Sequence, residues 1–284
     1  MLTVFTPAYN RRKELERLYK SLLNQDYKDF EWLIVDDGSS DGTENYVKNL
    51  IKENKIRINY VKKENGGKPS AYNKGLDYAK GDIFLTIDSD DIFRPNVLGK
   101  IVSDFDDILE TDIGGVMYLQ TYISDSKKII GTEFPNDNMI SNYFDVYHRY
   151  KVTGDKLIVL RTKIARMFYF PIIENEKFVP EALVFNRISK KYKFKCFNFI
   201  AASKEYLAEG YSNNYFALVK KNPLGNMLYF KELFDFDRSF YNIYGYILFG
   251  IYGKVKLCDL LKHKAKIRVV LLYLPVLLIA KLRK

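Results

Sequence analysis

Apolar runs alternate with amphipathic stretches over the first hundred residues of the chain. A short apolar strand beginning at Val4 is broken by Pro7, and a helix is predicted over 13–23, where the leucines keep helical spacing. A second apolar run, 32–35, ends in acids and a Gly/Ser turn before another amphipathic stretch. Repetition of strand, polar turn and helix predicts parallel strands joined by crossover helices. We therefore expect an α/β fold with a mostly parallel sheet flanked by helices.

A third apolar run, 83–87, ends in three acids within four positions, Asp88, Asp90 and Asp91. Carboxylate oxygens suit hard divalent cations, which commonly share their coordination sphere with substrate phosphates. Such a cluster is also a common solvated turn, and Asp91 has a second reading as the cap of a helix that Pro95 and Asn96 open. In an open α/β sheet, ligands bind beyond the carboxyl ends of the strands. All the polar clusters are thus expected at one edge.

Four segments in this order resemble the family 2 glycosyltransferases of GT-A fold. They are TPAYNR at 6–11, VDDGSSDGT at 35–43, NGGKPSAYNKGL at 65–76 and DSDD at 88–91. Each segment alone is weak evidence for this family, whereas the four segments in this order are strong evidence for it. It covers roughly the first hundred residues, and the thinner likeness beyond resembles polysaccharide-cluster members. The resemblance implies a GT-A-like (Rossmann-like) α/β domain and an inverting sugar transfer that depends on Mn²⁺ or Mg²⁺.

Carried over by position, the resemblance implies a nucleotide-sugar site in the first hundred residues. Asp36 or Asp37 would accept the uracil N3–H, which favours uridine diphosphate, while the other acid caps the turn. Lys68 would supply charge for phosphate, with a surface lysine as the plainer alternative. The metal would be held by Asp90, with Asp88 on the ribose or sharing the metal. The implied nucleotide-sugar residues are Thr6, Pro7, Tyr9, Arg11, Asp36, Asp37, Asn65, Gly67, Lys68, Asp88 and Ser89.

An inverting transfer also needs a carboxylate that takes the proton of the acceptor hydroxyl. Glu181 is the first candidate, because it heads the helix-like stretch 182–189 and the family places an acid at a comparable distance after its Asp-x-Asp. A first-turn Glu is also ordinary helix chemistry, and the Glu-Asp pair common in the family is here Pro180-Glu181. Asp155, before the predicted strand 157–160, is the second candidate and has an alternative role in binding donor sugar or acceptor. The histidines, His148 and His263, show no ligand spacing.

Composition limits the domain organisation, the binding partners and the cellular compartment that we expect. The 284 residues suit one catalytic domain with a tail, and we expect the domain over 1–215 and a helical extension over 216–284. With 45 basic and 35 acidic residues the net charge is +10, yet no nucleic-acid-binding motif appears, so we expect no nucleic acid partner. The two cysteines do not make a disulfide framework, and no secretory signal precedes the first strand. Together these features predict a cytosolic protein. Oligomeric state is not specified.

The C-terminal segment brackets an uncharged run, 269–280, with basic residues on both sides. The run is too short to span a bilayer, which takes about 20 apolar residues, and Pro275 is expected to interrupt any helix there. We interpret it as an interfacial anchor on an anionic membrane surface, with a helix packed on the domain or a subunit interface as the alternative. The aromatic stretch 234–252 lies either beside this anchor or in a buried helical hairpin.

Together with the C-terminal segment, the family resemblance implies an enzyme that moves a hexose or N-acetylhexosamine from a UDP-sugar, with inversion, to a glycan. The resemblance and the basic C-terminal segment further imply that this glycan is carried by a polyprenyl diphosphate lipid at the inner face of a membrane. The competing enzyme hypothesis is a nucleotidyltransferase of sugar phosphates. It would predict a Gly-rich loop bearing Arg or Lys after the first strand, where this chain has Pro-Ala-Tyr-Asn. The other alternative is a catalytically silent membrane scaffold of the same fold.

Overall fold

A computed structural model describes residues 1–106, 108, 112–205 and 215–282. The chain divides into two compact units, Met1–Tyr169 with Arg187–Leu207, and Phe170–Asn186 with Ala208–Lys284. This division differs from a single boundary at residue 215, because residues 170–186 cluster with the C-terminal helices. Arg283 and Lys284, part of the basic bracket around the last apolar run, lie outside the described residues.

The described part of the first unit contains one sheet of nine strands. The strands are β1 (Leu2–Ala8), β2 (Phe30–Asp36), β3 (Arg57–Lys62), β4 (Ile83–Thr86), β5 (Ile92–Phe93), β6 (Ile113–Tyr122), β7 (Met139–Ser141), β8 (Lys156–Arg161) and β9 (Lys193–Lys204). Its helices are α1 (Arg12–Leu23), α2 (Thr43–Glu53), α3 (Lys68–Tyr78), α4 (Val97–Asp106), α5 (Tyr143–His148) and α6 (Thr162–Ala165). The boundary between the two units falls within helix α7 (Glu181–Ser189), between Asn186 and Arg187.

The strand order is β3-β2-β1-β4-β8-β6-β9-β5, and β7 pairs with β9. Strands β1 to β4 are parallel, as the alternation of strand and helix predicts. The sheet as a whole is mixed, because β8 enters antiparallel between β4 and β6 while β6 and β9 are parallel. The α/β class is therefore confirmed, with parallel pairing among the first four strands and between β6 and β9.

Apolar side chains of the first four strands and α1 form the core that fixes these strand ends. Trp32 and Leu33 on β2 are fully buried, and the predicted helical face of α1 packs inward through Leu15, Leu18 and Leu22. Helix α3 lies close against β1, because a Cβ at Gly75 would overlap the ring of Phe5. Burial of this extent on both faces is expected of parallel strands covered by helices.

Helix α4 begins at Val97, after the predicted Pro95-Asn96 opening, but Asp91 does not cap it. The N–H groups of Val97 and Leu98 donate to Oε1 of Gln25, at 2.9 and 3.2 Å. Gln25 is buried at the end of α1 and joins two helices that are distant in sequence. The capping alternative for Asp91 is thus wrong. The side-chain amide of Gln25 caps α4 instead.

The second unit contains helices α8 (Tyr215–Lys221), α9 (Pro223–Leu233), α10 (Phe240–Tyr252), α11 (Leu257–Leu260) and α12 (Lys266–Leu282). Helices α9 and α10 pack as a hairpin, in which the rings of Phe230 and Phe249 stack with their centroids 5.6 Å apart, a spacing typical of aromatic pairs. Ile243 and Tyr246 of α10 are buried beside Val269 of α12. The aromatic stretch 234–252 therefore contributes to a helical core, as one of the two sequence readings expected.

Helix α12 continues through Pro275, so the expectation that this proline interrupts the helix is wrong. Proline removes one backbone donor and frees the carbonyl four residues earlier, here that of Leu271. Leu271 and Pro275 are both exposed, so the freed carbonyl has access to solvent rather than to an apolar core. Within the described ranges, no helix combines the length and the apolar character that crossing a membrane requires.

Candidate functional site

Strands β1, β2 and β4 are parallel, so their carboxyl ends meet at one edge of the sheet. The register pairs Ala8 with Asp36 and Phe5 with Thr86, which brings the loops after these strands together. The four segments that carry the family resemblance all begin at or next to this edge. The predicted convergence of the polar clusters is therefore observed for the donor and metal candidates of the first hundred residues.

Side chain and backbone hydrogen bonds join the loops after β1 and β2. The N–H of Asn10 donates to Ser39 Oγ at 2.9 Å, and the N–H of Ser40 donates to Asn10 Oδ1 at 2.9 Å. Asn10 takes a left-handed backbone conformation, with φ of 52°. The neighbouring Tyr9 is half exposed, so its ring offers a flat face at this edge. Thr6 is instead fully buried, and its Oγ1 accepts the indole N–H of Trp32 at 3.0 Å.

Asp36 and Asp37 are both buried and both engaged by their own chain. Asp36 Oδ1 accepts the N–H of Ser39 at 2.7 Å, and Asp36 Oδ2 accepts the hydroxyl of Tyr60. Asp36 therefore has the turn-capping role that one acid of the pair was expected to take. Of the two, Asp37 is the one that contacts the glycine loop after β3, where the family resemblance continues.

Asp37 holds the glycine loop that leads into α3. Its carboxylate accepts the N–H groups of Gly66 and Gly67, at 2.9 and 2.7 Å, and pairs with Lys63 Nζ at 2.7 Å. Gly67 has φ of 85°, a conformation that L side chains rarely adopt, which explains glycine at this turn. Lys68 follows as the first residue of α3, and its ammonium is directed to Asp88.

Two lysines neutralise the acidic cluster after β4. Lys68 Nζ lies 2.5 Å from Asp88 Oδ1, and Lys204 Nζ lies 3.2 Å from Asp88 Oδ2. Lys204 also lies 3.7 Å from Asp91 Oδ2 and 3.6 Å from Asp155 Oδ2. One ammonium at the end of β9 thus faces three carboxylates from two loops. Ser89, between the acids, is buried.

The acids of this cluster have different pKa shifts. Burial would raise the pKa of Asp88, but the charges of Lys68 and Lys204 outweigh it and hold that pKa well below its usual range. Burial raises the pKa of Asp90, and the neighbouring charge of Asp88 raises it further. Burial raises the pKa of Asp91 to about 8, although Lys204 opposes the shift. Perturbed carboxyls grouped in this way are typical of functional sites.

The donor chemistry of Asp88 and Asp90 fits a hard divalent cation. Mg²⁺ and similar ions are commonly held by one or two carboxylates together with substrate phosphates. Asp91 Oδ1 is buried without a hydrogen-bond partner among the described atoms, so this pocket has an oxygen that a cation or its water can engage. No cluster of three or more His, Cys, Asp or Glu side chains arranged around a common metal position occurs in the described part of the chain.

The two candidate bases lie in different units. Asp155 belongs to the first unit and is half exposed beside Lys204. Hydrogen bonds from the next residue hold the loop of Asp155 in place. Lys156 Nζ donates to the carbonyls of Thr153, Gly154 and Ile130 at 2.7–3.3 Å. Glu181 begins α7, one residue before the predicted helix start, and belongs to the second unit, where it is exposed.

Sequence reasoning missed Lys204 and Lys63. Lys204 ends the apolar strand β9 at the edge where β6 also ends, since Tyr122 and Lys204 are register partners. The available signal was a cation directly after an apolar run, the counterpart of the acids after β4. Lys63 stands two residues before the recognised Asn65-Gly66-Gly67 segment and was passed over for Lys68. The histidines take no part in this cluster: His148 stacks on Phe144, and buried His263 contacts Phe234 and Tyr246.

A family model described as glycosyl transferase family 2 matches residues 3–167, more than half of the chain. The chain belongs to this family. A β-1,3-glucosyltransferase acting on GalNAc(5)-diNAcBac-PP-undecaprenol, from Campylobacter jejuni, is 38% identical over 106 residues, which are 36% of this chain and 33% of that protein. Across three curated relatives the matched segment covers 33% to 46% of their length.

Two solved structures share the fold of this chain. TarS residues 1–349 of S. aureus, in complex with UDP, superposes with a TM-score of 0.62 at 18% identity and covers all of this chain and 92% of that one. The mannosyltransferase PcManGT of Pyrobaculum calidifontis, in complex with GDP-Man and Mn²⁺, gives a TM-score of 0.58 at 18% identity, over 98% of this chain and 79% of that one. At such identities the likeness establishes the GT-A fold alone.

Proposed function

We propose that this chain transfers a hexose or N-acetylhexosamine from a UDP-sugar, with inversion, to a glycan carried by a polyprenyl diphosphate lipid. The observation that carries the proposal is the edge of the sheet where Asp88, Asp90, Lys68 and Lys204 converge next to the Asn10–Ser39 loop contact. A nucleoside diphosphate needs both a flat apolar face for its base and positive charge for its phosphates. Tyr9 and Lys68 supply these within one edge.

The named relatives support the substrate classes. The Campylobacter relative carries a lipid diphosphate glycan in its name, and the solved TarS structure holds UDP. The solved mannosyltransferase holds a guanosine donor, so a test of the donor compares UDP-sugars with GDP-sugars. A nucleotidyltransferase is disfavoured, because the loop after β1 lacks the glycines that such an enzyme is expected to have there.

In the proposed reaction, Asp90 with Asp88 would hold Mn²⁺ or Mg²⁺. When bound there, such an ion would supply positive charge for the departing diphosphate. Lys68 and Lys204 are positioned to bind phosphate oxygens once the carboxylates are engaged elsewhere. The acceptor oxygen attacks the anomeric carbon from the face opposite the diphosphate, the bond to the diphosphate oxygen breaks, and the hydroxyl proton passes to the carboxylate of Glu181 or Asp155.

A panel of nucleotide sugars in a thermal-shift experiment tests the donor. A ligand that binds only the folded state raises stability with the logarithm of its concentration over its dissociation constant. We expect UDP-hexoses or UDP-N-acetylhexosamines to raise the melting temperature with Mn²⁺ present, and less so in EDTA. A larger shift with GDP-sugars than with any UDP-sugar would contradict the uridine assignment. The polyprenyl acceptor would place the reaction at the inner, cytoplasmic face of a membrane.

A further inference from the structure

Helix α12 exposes an apolar stripe along its whole length. Its exposed apolar side chains recur at spacings of three and four residues, which places them on one face of an α-helix. Leu271, Leu274 and Leu278 are each exposed by about two thirds, at 66%, 67% and 63%. The stripe consists of Ile267, Val270, Leu271, Leu274, Leu278 and Leu282. Scattered exposed leucines need no explanation, but a continuous row is typical of a docking surface.

The opposite face of α12 is committed to the core of its own unit. Val269, Val276 and Ala280 are buried, and they join a cluster that includes Ile243 and Ile247 of α10. The helix is therefore held in place by packing while its stripe faces outward. Half of its circumference is unavailable to lipid, so α12 suits a position lying on a surface rather than one crossing it.

Basic side chains flank the stripe, and acidic ones are absent from this stretch of sequence. Lys266 and Arg268 stand on either side of Ile267, and Lys281 precedes Leu282. No acidic residue follows Asp259 in this sequence. The Arg268 guanidinium also lies 5.0 Å from the ring centre of Phe240, an aromatic residue that is exposed beside it. An apolar row bordered by cations and an aromatic ring is the composition of a helix at a lipid headgroup boundary.

We propose that α12 docks in the plane of an anionic lipid bilayer, with its leucine stripe in the acyl boundary and its basic residues on the headgroups. The stripe runs from Ile267 to Leu282, which is about 22 Å at the rise of an α-helix. Each basic residue near an anionic surface strengthens binding by about fivefold, which corresponds to roughly 1 kcal/mol apiece. The proposal uses only residues of the second unit and is independent of which sugar the first unit transfers.

A second copy of the chain is a poorer occupant of this stripe. Self-pairing of α12 in parallel would set Lys266 and Arg268 against their own copies, and antiparallel pairing would set them against Lys281. Neither arrangement meets a carboxylate within the helix, because 260–282 contains no Asp or Glu. Anionic headgroups supply the counter-charge that a second copy of α12 lacks, and this complementarity favours lipid.

Sedimentation of the full chain with vesicles tests the proposal. We expect wild-type protein to pellet with vesicles of phosphatidylcholine and phosphatidylglycerol, and less with phosphatidylcholine alone. The triple variant Leu271→Gln/Leu274→Gln/Leu278→Gln should bind about a hundredfold more weakly or worse, since burial of each leucine is lost. Ile140→Gln, which changes a 53% exposed residue of the sheet unit, is the matched control and should bind as wild type. Glutamine keeps helix propensity, so α12 should survive.

The charge contribution is tested with Lys266→Gln/Lys281→Gln against Lys13→Gln/Lys52→Gln, which changes net charge equally at exposed positions of α1 and α2. Only the first pair should weaken binding to anionic vesicles. A fluorescent reporter comes from Leu274→Trp, because the single native tryptophan, Trp32, is fully buried. Its emission should shift to shorter wavelength on anionic vesicles.

Two results would overturn the proposal. Vesicle binding by the triple leucine variant equal to that of wild type would show that α12 does not contact lipid. A wild-type protein that ignores vesicles, and whose mass in solution falls when the three leucines are replaced, would assign the stripe to a subunit interface instead. Both measurements are made without sugar donor, so failure here leaves the proposed transfer reaction untouched.

Discussion

The ammonium of Lys204 lies 3.2 Å from Oδ2 of Asp88, a residue 116 positions earlier in the chain. Lys204 ends β9, and Asp88 follows β4, so the pair joins the two halves of the sheet. The same ammonium faces Asp91 and Asp155. Lys204 therefore supplies positive charge to a group of acids that would otherwise repel one another.

Replacement of Lys204 by Met should destabilise the protein when no divalent cation is present. Asp88 would lose one of the two ammonium groups that keep it ionised, and Asp155 would lose the ammonium beside it. Removal of one partner from a buried pair costs about 3–5 kcal/mol, but half-exposed Asp155 argues for a smaller loss, of about 1–3 kcal/mol. Urea unfolding in EDTA measures the change, and Mn²⁺ should restore part of it.

Lys193→Met is the control for this experiment. Lys193 stands at the other end of β9 and pairs with Asp112 at 3.0 Å, where both side chains are more than half exposed. Exposed pairs contribute about 0–1 kcal/mol, so the control should change little. If Lys204→Met unfolded at the same urea concentration as Lys193→Met in EDTA, the counter-charge role of Lys204 would be wrong.

Asp91 should make stability fall as pH rises. Burial raises its pKa from 3.8 to about 8, so between those values the folded state holds a proton that the unfolded state has released. The free energy of unfolding then decreases with rising pH across this window. Asp91→Asn removes the group, and in EDTA it should be more stable than wild type at pH 8 by on the order of 1–3 kcal/mol, with little difference at pH 4.

Asp106→Asn, which changes an exposed carboxyl on α4, serves as the reference for the pH experiment. Unfolding in urea at pH 4, 6 and 8 gives the slope for each protein. Parallel slopes for wild type and Asp91→Asn would mean that Asp91 stays ionised in the folded state, paired with Lys204.

Glu181→Gln and Asp155→Asn separate the two candidate bases. Loss of the general base should lower the transfer rate by roughly 10²–10⁴ while donor affinity stays close to wild type, because the side-chain shape is kept. We expect this result for Glu181→Gln. Asp155 lies beside Lys204, so Asp155→Asn is expected to alter donor or acceptor binding instead. A dead Asp155→Asn with a fully active Glu181→Gln would exchange the two assignments.

Much of the first hundred residues was predictable, because local patterns dominate there. The apolar strand at 32–35 is found within β2, the leucine-spaced helix at 13–23 is α1, and the acids after 83–87 follow β4. Each of these elements is specified by side chains a few positions apart. Helix α7, which was predicted over 182–189, likewise begins within one residue of its predicted start.

Long-range relationships were not predictable. No local signal joins Gln25 to the N-terminus of α4, or Lys204 to Asp88, since each pair is fixed by how distant strands and helices pack. The antiparallel entry of β8 has the same origin. At Pro275 a local rule gave the wrong prediction. Proline was expected to interrupt the helix, but α12 continues through it, and the carbonyl that the proline leaves without a donor is on an exposed residue.

Release of UDP from UDP-hexoses and UDP-N-acetylhexosamines by wild type and Asp90→Ala tests the central claim most directly. Burial raises the pKa of Asp90 and the neighbouring charge of Asp88 raises it further, and such crowding of acids is expected where a cation binds. We predict that wild type releases UDP with Mn²⁺, that Asp88→Asn is milder, and that Asp90→Ala is inactive and no longer binds UDP in a metal-dependent way, with its far-UV spectrum unchanged. Wild-type turnover by Asp90→Ala at limiting Mn²⁺ would contradict the assignment of the metal and donor site to this edge.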